Sequence, residues 1–218
     1  MLVDSNDIEW LDSGAAFGPK YKKVIPQLNW INKYLGNGYQ TIQAFKKISA
    51  KSNIEKEITV RVLDLVYGSG YVLKKVRDLL NRPGYFPYLI GINNNKKALR
   101  LVNITLSQYD NKVLLEKVNE RFHISEVDFL ISSHFLNLNK NKVSHSILFS
   151  ELNRSNLVQF FFGLFNRFSG FEPEVLKDGL KALKRASTNQ ELQSTFSEFK
   201  NLQIRKSWFN RTLIYGKL

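Results

Sequence analysis

The sequence predicts an α/β fold with a mostly parallel sheet and an antiparallel edge strand. Short apolar runs alternate with helical stretches from Thr59 onward, which is the pattern of a parallel sheet with helical crossovers. A glycine-containing turn, Tyr67-Gly68-Ser69-Gly70, joins the first apolar run to a helix. Two further β-prone runs flank Phe209-Asn210-Arg211 near the end of the chain and indicate a hairpin at one edge of the sheet.

The first fifty residues are predicted to form two helices. Apolar side chains recur there at steps of three and four residues, and they are Leu28, Ile31, Leu35, Ile42, Phe45 and Ile48. Gly36-Asn37-Gly38 breaks this pattern between the two helices, and the polar residues 51–56 form a linker. We therefore predict an N-terminal helical extension over residues 1–56 and a main domain over residues 57–218.

In the main domain the apolar runs predict five strands, over residues 60–66, 88–92, 113–116, 127–131 and 146–149. Helices are predicted over residues 71–80 and 96–109. Only about a dozen residues lie between Ile131 and Val143, which is close to the shortest parallel crossover. The helix before the fifth strand is therefore expected to be truncated or absent. We expect another part of the chain, or a second copy in a homo-oligomer, to cover the sheet there.

The composition excludes several kinds of site. The 218 residues contain no cysteine, which rules out disulfides, thiolate zinc sites and cysteine nucleophiles. Three histidines, His123, His134 and His145, leave little material for a metal site, and none is predicted. No apolar run approaches the ~20 residues of a membrane helix, and the acidic start does not resemble a secretory signal. The chain is therefore expected to be cytoplasmic, without a membrane span.

The net charge of +13 raises the question of an anionic partner. Lysine and arginine pairs such as Lys46-Lys47 and Arg205-Lys206 are spread along the whole chain and do not concentrate in one arm or helix. This dispersal favours a solvated surface over a specific nucleic-acid interface. A surface of this charge can still attract an acyl carrier protein or a lipid headgroup.

The glycine turn has the features of a nucleotide-binding loop. Asp64 lies at the end of the first strand, and Gly68 and Gly70 would let the backbone approach a ligand at a helix N-terminus. Asn93 follows the second strand at 93 − 70 = 23 residues from Gly70, close to the ~20 expected for a side chain that contacts a ribose. The alternative is a tight turn without a ligand.

Together these features resemble the class I S-adenosylmethionine-dependent methyltransferases, and most closely the ubiquinone/menaquinone-type enzymes that act on small molecules. The resemblance lies in VLDLVYGSGYVL from Val62, GINNNKKALRLV from Gly91, VDFLISSHFLNL from Val127 and ELNRS from Glu151. It implies a Rossmann-like three-layer sandwich, S-adenosylmethionine as cofactor and a hydrophobic small-molecule acceptor. The cofactor-binding residues that it implies are Asp64, Val66, Tyr67, Gly68, Ser69, Gly70, Asn93, Asn94, Asn119 and Ser132.

Three of these positions depart from the family pattern. Val66 stands where the family has a glycine, and its β-branched side chain would crowd the cofactor. Asn93 replaces an acid that accepts hydrogen bonds from both ribose hydroxyls, and Asn119 aligns with a further acid. These departures leave a second function open. The chain would then be an inactive methyltransferase that serves as a scaffold or as the partner subunit of a biosynthetic enzyme.

Two other features have alternative interpretations. His134 follows the fourth strand and is a candidate general base for an acceptor hydroxyl, or else a partly buried loop histidine. The phenylalanine-rich segment 160–171 lies, by the resemblance, over the substrate site. The same segment has apolar residues at helical spacing, which is also typical of a helix packed on the core.

Overall fold

The computed structural model describes residues 10, 18–35, 37–52, 58–65, 70–81, 83, 85–92, 113–116, 127–132, 143–197, 199–208 and 210–217. The helices are α1 (Gly18–Tyr34), α2 (Asn37–Lys51), α3 (Tyr71–Leu80), α4 (Asn156–Phe168), α5 (Pro173–Arg185) and α6 (Asn189–Phe196). The strands are β1 (Ile58–Leu65), β2 (Tyr85–Ile92), β3 (Val113–Glu116), β4 (Val127–Ser132), β5 (Val143–Leu152), β6 (Leu202–Ser207) and β7 (Arg211–Gly216). None of the helices in these ranges combines the length and apolarity that crossing a membrane requires.

The strands form one sheet in the order β3-β2-β1-β4-β5-β7-β6. The first five strands are parallel, and β7 runs antiparallel to both β5 and β6. The predicted α/β fold with an antiparallel edge is therefore confirmed. Asn210, in the turn between β6 and β7, has φ of 57°, a left-handed conformation that asparagine tolerates better than most residues.

Helices cover both faces of the sheet. On one face α2 and α3 pack against β1, β2 and β4 through Phe45, Leu73 and Val76, and the Phe45 ring meets the edge of Phe129 at 5.2 Å. On the other face Leu192 and Phe196 of α6 pack against β4, β5 and β7. Helix α2 therefore shares the core of the main sheet. The division of the chain at residue 56 stays a prediction.

The fifth strand is longer than the apolar run 146–149 suggested. It pairs with β7 from Ile147–Gly216 to Leu152–Arg211, and Ser150 and Glu151 are buried in it. Buried polar side chains at the end of β5 interrupt the apolar pattern, while β7 continues to form backbone hydrogen bonds with it. The predicted helix 96–109 and the short crossover between β4 and β5 lie outside the described residues.

Candidate functional site

The strand register brings four strand ends to one edge of the sheet. Leu65 of β1 is level with Ile92 of β2 and with Ser132 of β4, and Ile92 is level with Glu116 of β3. Neighbouring strands lie about 4.8 Å apart, so these four ends span roughly 15 Å. Ligands of open α/β sheets bind at this edge, beyond the carboxyl ends of the strands.

Three of the predicted site residues are among the described residues, and the structure brings two of them to this edge. Asp64 is the next-to-last residue of β1, and Ser132 is the last residue of β4. Gly70 lies immediately before α3. Ser132 is completely buried. The remaining predicted site residues lie outside the described residues, and they are Val66, Tyr67, Gly68, Ser69, Asn93, Asn94, Asn119 and His134. Their positions in space stay predictions.

Asp64 is a buried carboxyl group at this edge, with 3% of its surface exposed. Its neighbours in the strand alternation, Val60 and Val62, belong to the core under α2 and α3, so the two-residue period places Asp64 on the same face. Burial raises the pKa of the Asp64 carboxyl well above its ordinary value of 3.8, because desolvation disfavours the charged form. A cationic ligand beside this group would favour the charged form again.

Gly70 begins α3 in a left-handed conformation, with φ of 75° and ψ of 5°. Its carbonyl accepts a hydrogen bond from the Lys74 amide at 3.0 Å, so the helix starts directly from the loop. A residue with a Cβ pays about 1–2 kcal/mol for this conformation, which explains the glycine. The first amides of α3 have no partner within the helix and are available to a ligand or to the loop.

A second feature is an apolar cavity of about 480 Å³ between α1, α4 and α5. Its walls are mostly aliphatic and aromatic, with Asp178 and Arg211 as the charged groups among the described lining residues. The apolar lining consists of Leu28, Ile31, Leu35, Leu152, Val158, Phe161, Phe162, Phe165, Val175, Ala182 and Leu183. A volume of this size suits a small-molecule ligand.

Arg211 is the cation of the cavity and is partly buried. Its Nη1 donates to the Ser150 carbonyl oxygen at 2.9 Å and to the Ser150 hydroxyl at 3.4 Å. Burial lowers the pKa of Arg211 to about 10, although the charge of Glu151 acts in the opposite direction, so the guanidinium stays protonated at neutral pH. The carboxylate of Asp178 accepts a hydrogen bond from the Trp10 amide at 2.8 Å.

The cavity lies beyond the same sheet edge as Asp64. Phe149 of β5 is level with Ser132, and β5 continues for three residues to Leu152, which lines the cavity and pairs with Arg211. Three residues of strand advance about 10 Å in the direction in which the chain leaves β1 and β4. The cavity and the predicted cofactor loop therefore lie on the same side of the sheet.

The resemblance implies that the phenylalanine-rich segment lies over a substrate site, and part of that segment lines this cavity. Most of the phenylalanine-rich segment lies in α4. Phe162 and Phe165 line the cavity, Phe161 lines it and is also exposed to solvent, and Phe160 and Phe168 are exposed without lining it. Arg211 and Asp178 were missed as site residues. Arg211 directly follows the hairpin turn as the first residue of β7, and Asp178 stands in an amphipathic helix, so no local motif distinguishes either from a surface charge.

Two helical glycines provide a test of the cavity wall. A Cβ on Gly179 of α5 would come within 2.5 Å of the Phe162 ring, whereas a Cβ on Gly163 of α4 would meet nothing within 4 Å. Gly179→Ala is therefore expected to displace the ring and lower the free energy of unfolding by about 1 kcal/mol. Gly163→Ala, the matched control, should raise it by about 1 kcal/mol through helix propensity. Thermal unfolding of both variants measures this; equal gains would contradict the contact.

Comparison with known proteins supports the fold. No protein-family model matches the chain, and no curated protein matches it in sequence. Solved structures do match. The plantazolicin methyltransferase BpumL in complex with SAH has a TM-score of 0.63 at 15% identity, over 95% of this chain and 93% of that chain.

Two further structures agree. Magnesium protoporphyrin IX methyltransferase (ChlM) from Synechocystis PCC 6803 with bound SAH has a TM-score of 0.56 at 11% identity, over 94% of this chain and 95% of that one. The CurJ carbon methyltransferase has a TM-score of 0.56 at 14% identity, over 81% of this chain and 53% of that chain. This chain thus spans about half the length of the CurJ chain. Topology and comparisons together show that the chain has the fold of the class I S-adenosylmethionine-dependent methyltransferases.

Proposed function

We propose that the protein transfers a methyl group from S-adenosylmethionine to a hydrophobic small molecule. The observation that carries this proposal is the apolar cavity, which opens beyond the sheet edge where β1 ends at Asp64 and Leu65. Donor and acceptor would then lie side by side, and methyl transfer depends largely on such positioning. The ubiquinone/menaquinone type stays a prediction within this proposal.

The described residues at the edge fit the cofactor. S-adenosylmethionine carries a sulfonium and an ammonium group, and the buried Asp64 carboxyl suits a cationic ligand. Gly70 starts α3 without a side chain that could obstruct the approach to its first amides. Together with the loop residues 66–69 and with Asn93 and Asn94, they would hold the cofactor. When bound, the cofactor supplies an electrophilic methyl group.

The cavity would hold the acceptor. Its aliphatic and aromatic walls would bind an apolar body and exclude water. Arg211 uses Nη1 for Ser150, and its other guanidinium nitrogens would donate to an oxygen of the acceptor and so orient the molecule. We then expect the methyl group to be transferred to a hydroxyl oxygen of the acceptor or to a carbon next to an oxygen function. His134 stays the candidate general base.

A second function is favoured by the sequence of the cofactor loop. Val66 and Asn93 replace the glycine and the acid of the family pattern, which disfavours cofactor binding. In this alternative the protein keeps the fold as a scaffold or as a partner of a biosynthetic enzyme. The two functions differ in one measurable property, the affinity for the cofactor.

Isothermal titration with S-adenosylmethionine and with its demethylated product tests this. Micromolar binding supports the enzyme and contradicts the strong form of the scaffold, whereas no heat from folded protein contradicts the enzyme. The double variant Val66→Gly, Asn93→Asp is expected to bind about tenfold more tightly, because it removes a clash and adds a charge-assisted hydrogen bond. Asn81→Asp, an exposed position at the other end of α3, is the matched control and should leave the affinity unchanged.

A further inference from the structure

One side of α4 exposes large apolar side chains. Leu157, Phe160, Phe161, Leu164 and Phe168 are between 47% and 78% exposed. Their spacing of three and four residues, with Phe160 next to Phe161, places them along one side of the helix. We call these five residues the α4 face. Scattered apolar residues are normal on protein surfaces, but a contiguous patch of this kind marks a site of interaction.

The packing of the domain does not require the α4 face. Val158, Phe162 and Phe165 point from the same helix toward the cavity, so α4 has an inner apolar side of its own. The Trp30 ring of α1 stacks on Phe165 with 6.0 Å between centroids and lies 5.1 Å from the Tyr34 ring. Trp30 and Tyr34 are themselves partly exposed, and they extend the apolar surface from α4 onto α1.

In the two helices that form this surface, all the charged residues are basic. Neither α1 nor α4 contains an acidic residue. Lys20 and Lys23 of α1 form ion pairs with Glu174 and Glu172. The exposed basic residues that the two helices retain besides these are Lys22, Lys33 and Arg167. The surface therefore combines protruding phenylalanine and leucine side chains with positive charge.

We propose that the α4 face docks on the surface of an anionic lipid bilayer. Helices that lie in the membrane interface combine an apolar side that enters the boundary of the acyl chains with basic residues that attract the headgroups. Trp30 and Tyr34 are of the types that lie at headgroup level, and a basic residue near an anionic surface contributes to attraction. The helix lies along the surface and does not cross it. Phe161 belongs to the α4 face and also lines the cavity, whereas the other residues of that face do not line it, so the docking does not rest on the proposed methyl transfer.

Other occupants fit the surface less well. A two-fold dimer through the α4 face would place each patch against its own copy, so that Lys33 and Arg167 meet like charges. An acidic carrier protein would match the charge, but it would not account for five large apolar side chains that protrude into water. A bilayer satisfies both the apolar and the basic component at once.

Vesicle sedimentation tests the proposal. The unmodified protein is expected to bind phosphatidylcholine vesicles that contain phosphatidylglycerol, and to bind more weakly to phosphatidylcholine alone or at high salt. Phe160→Ser with Phe168→Ser should reduce the partition coefficient at least about tenfold, since two exposed rings no longer enter the lipid. Neither ring lines the cavity. The matched control is Phe86→Ser. Phe86 is an exposed phenylalanine near the start of β2, at the end of the sheet opposite to the carboxyl ends of the parallel strands. This variant should change the partition coefficient by no more than about twofold.

A second measurement does not depend on the folding of the double variant. Brominated lipids in the vesicles should quench the tryptophan fluorescence of the protein, and Trp30→Phe should remove most of that quenching. Protein that stays in the supernatant with anionic vesicles overturns the proposal, as does equal loss in the Phe86→Ser control. A dimer in light scattering that dissociates when Phe160 and Phe168 are replaced would assign the α4 face to a second copy instead.

Discussion

Asp64→Asn is expected to lower the affinity for S-adenosylmethionine at least about tenfold and, at the same time, to stabilise the protein at neutral pH. The loss of affinity follows because an amide cannot offer a negative charge to a cationic ligand. The gain in stability follows because ionising the buried carboxyl is costly, and asparagine removes that cost. Calorimetric titration and thermal unfolding measure the two effects on the same samples.

The pH dependence of this stabilisation has a definite sign. Burial raises the pKa of Asp64 in the folded state above its ordinary value of 3.8, so the unfolded state loses its proton first as the pH rises. The Asp64→Asn variant and the unmodified protein should therefore have the same free energy of unfolding below pH 3.8. From there the difference in free energy of unfolding should grow in favour of the Asp64→Asn variant up to the raised folded-state pKa, and it should stay constant above that pKa. Asp78→Asn, on the exposed side of α3, is the control and should change neither property by much. A stability difference independent of pH would contradict the burial effect.

Phe45→Ala is expected to lower the free energy of unfolding by about 3–5 kcal/mol. The ring is 1% exposed and joins α2 to Phe129 of β4, so its removal leaves a cavity between the helix and the sheet. Phe160→Ala, the same change at an exposed position, should cost no more than about 0.5 kcal/mol. Urea unfolding followed by circular dichroism measures both variants.

The shape of that unfolding curve also tests the division of the chain at residue 56. A single transition that moves to lower urea in Phe45→Ala would mean that α2 unfolds together with the sheet. An early, separate transition for the helical residues, with the sheet unaffected, would mean that residues 1–56 form an extension that unfolds by itself. In the latter case Phe45 would contribute little to the stability of the sheet.

The elements of the fold that local sequence determines were predictable. β1 and β4 are rich in β-branched and other apolar residues, and α3 follows the glycine turn with a clear helical period, so both kinds of element matched their predictions closely. The end of β5 was not predictable, because Ser150 and Glu151 look like loop residues in the sequence. They continue a strand only because β7, about sixty residues later in the chain, pairs with it.

The candidate site divides in the same way. Asp64 and Gly70 could be identified because strand, turn and helix follow one another in the chain. The cavity could not, because α1, α4, α5 and β7 contribute to it from distant parts of the sequence. For α4 the helical period was correct, but apolar residues on two sides of a helix do not reveal which side faces water. Only the positions of α1 and α5 settle that Phe162 points inward.

The place of β7 between β5 and β6 has a consequence for synthesis of the protein. Arg211, the cation of the cavity, is the first residue of β7, and it takes its position only when β7 inserts beside β5. A nascent chain can therefore form the parallel strands, α2 and α3 before the cavity has its polar end. Translation must reach residues 211–216 before the proposed acceptor site is complete, so an incompletely translated chain would have most of the apolar lining residues of the cavity but not its cation.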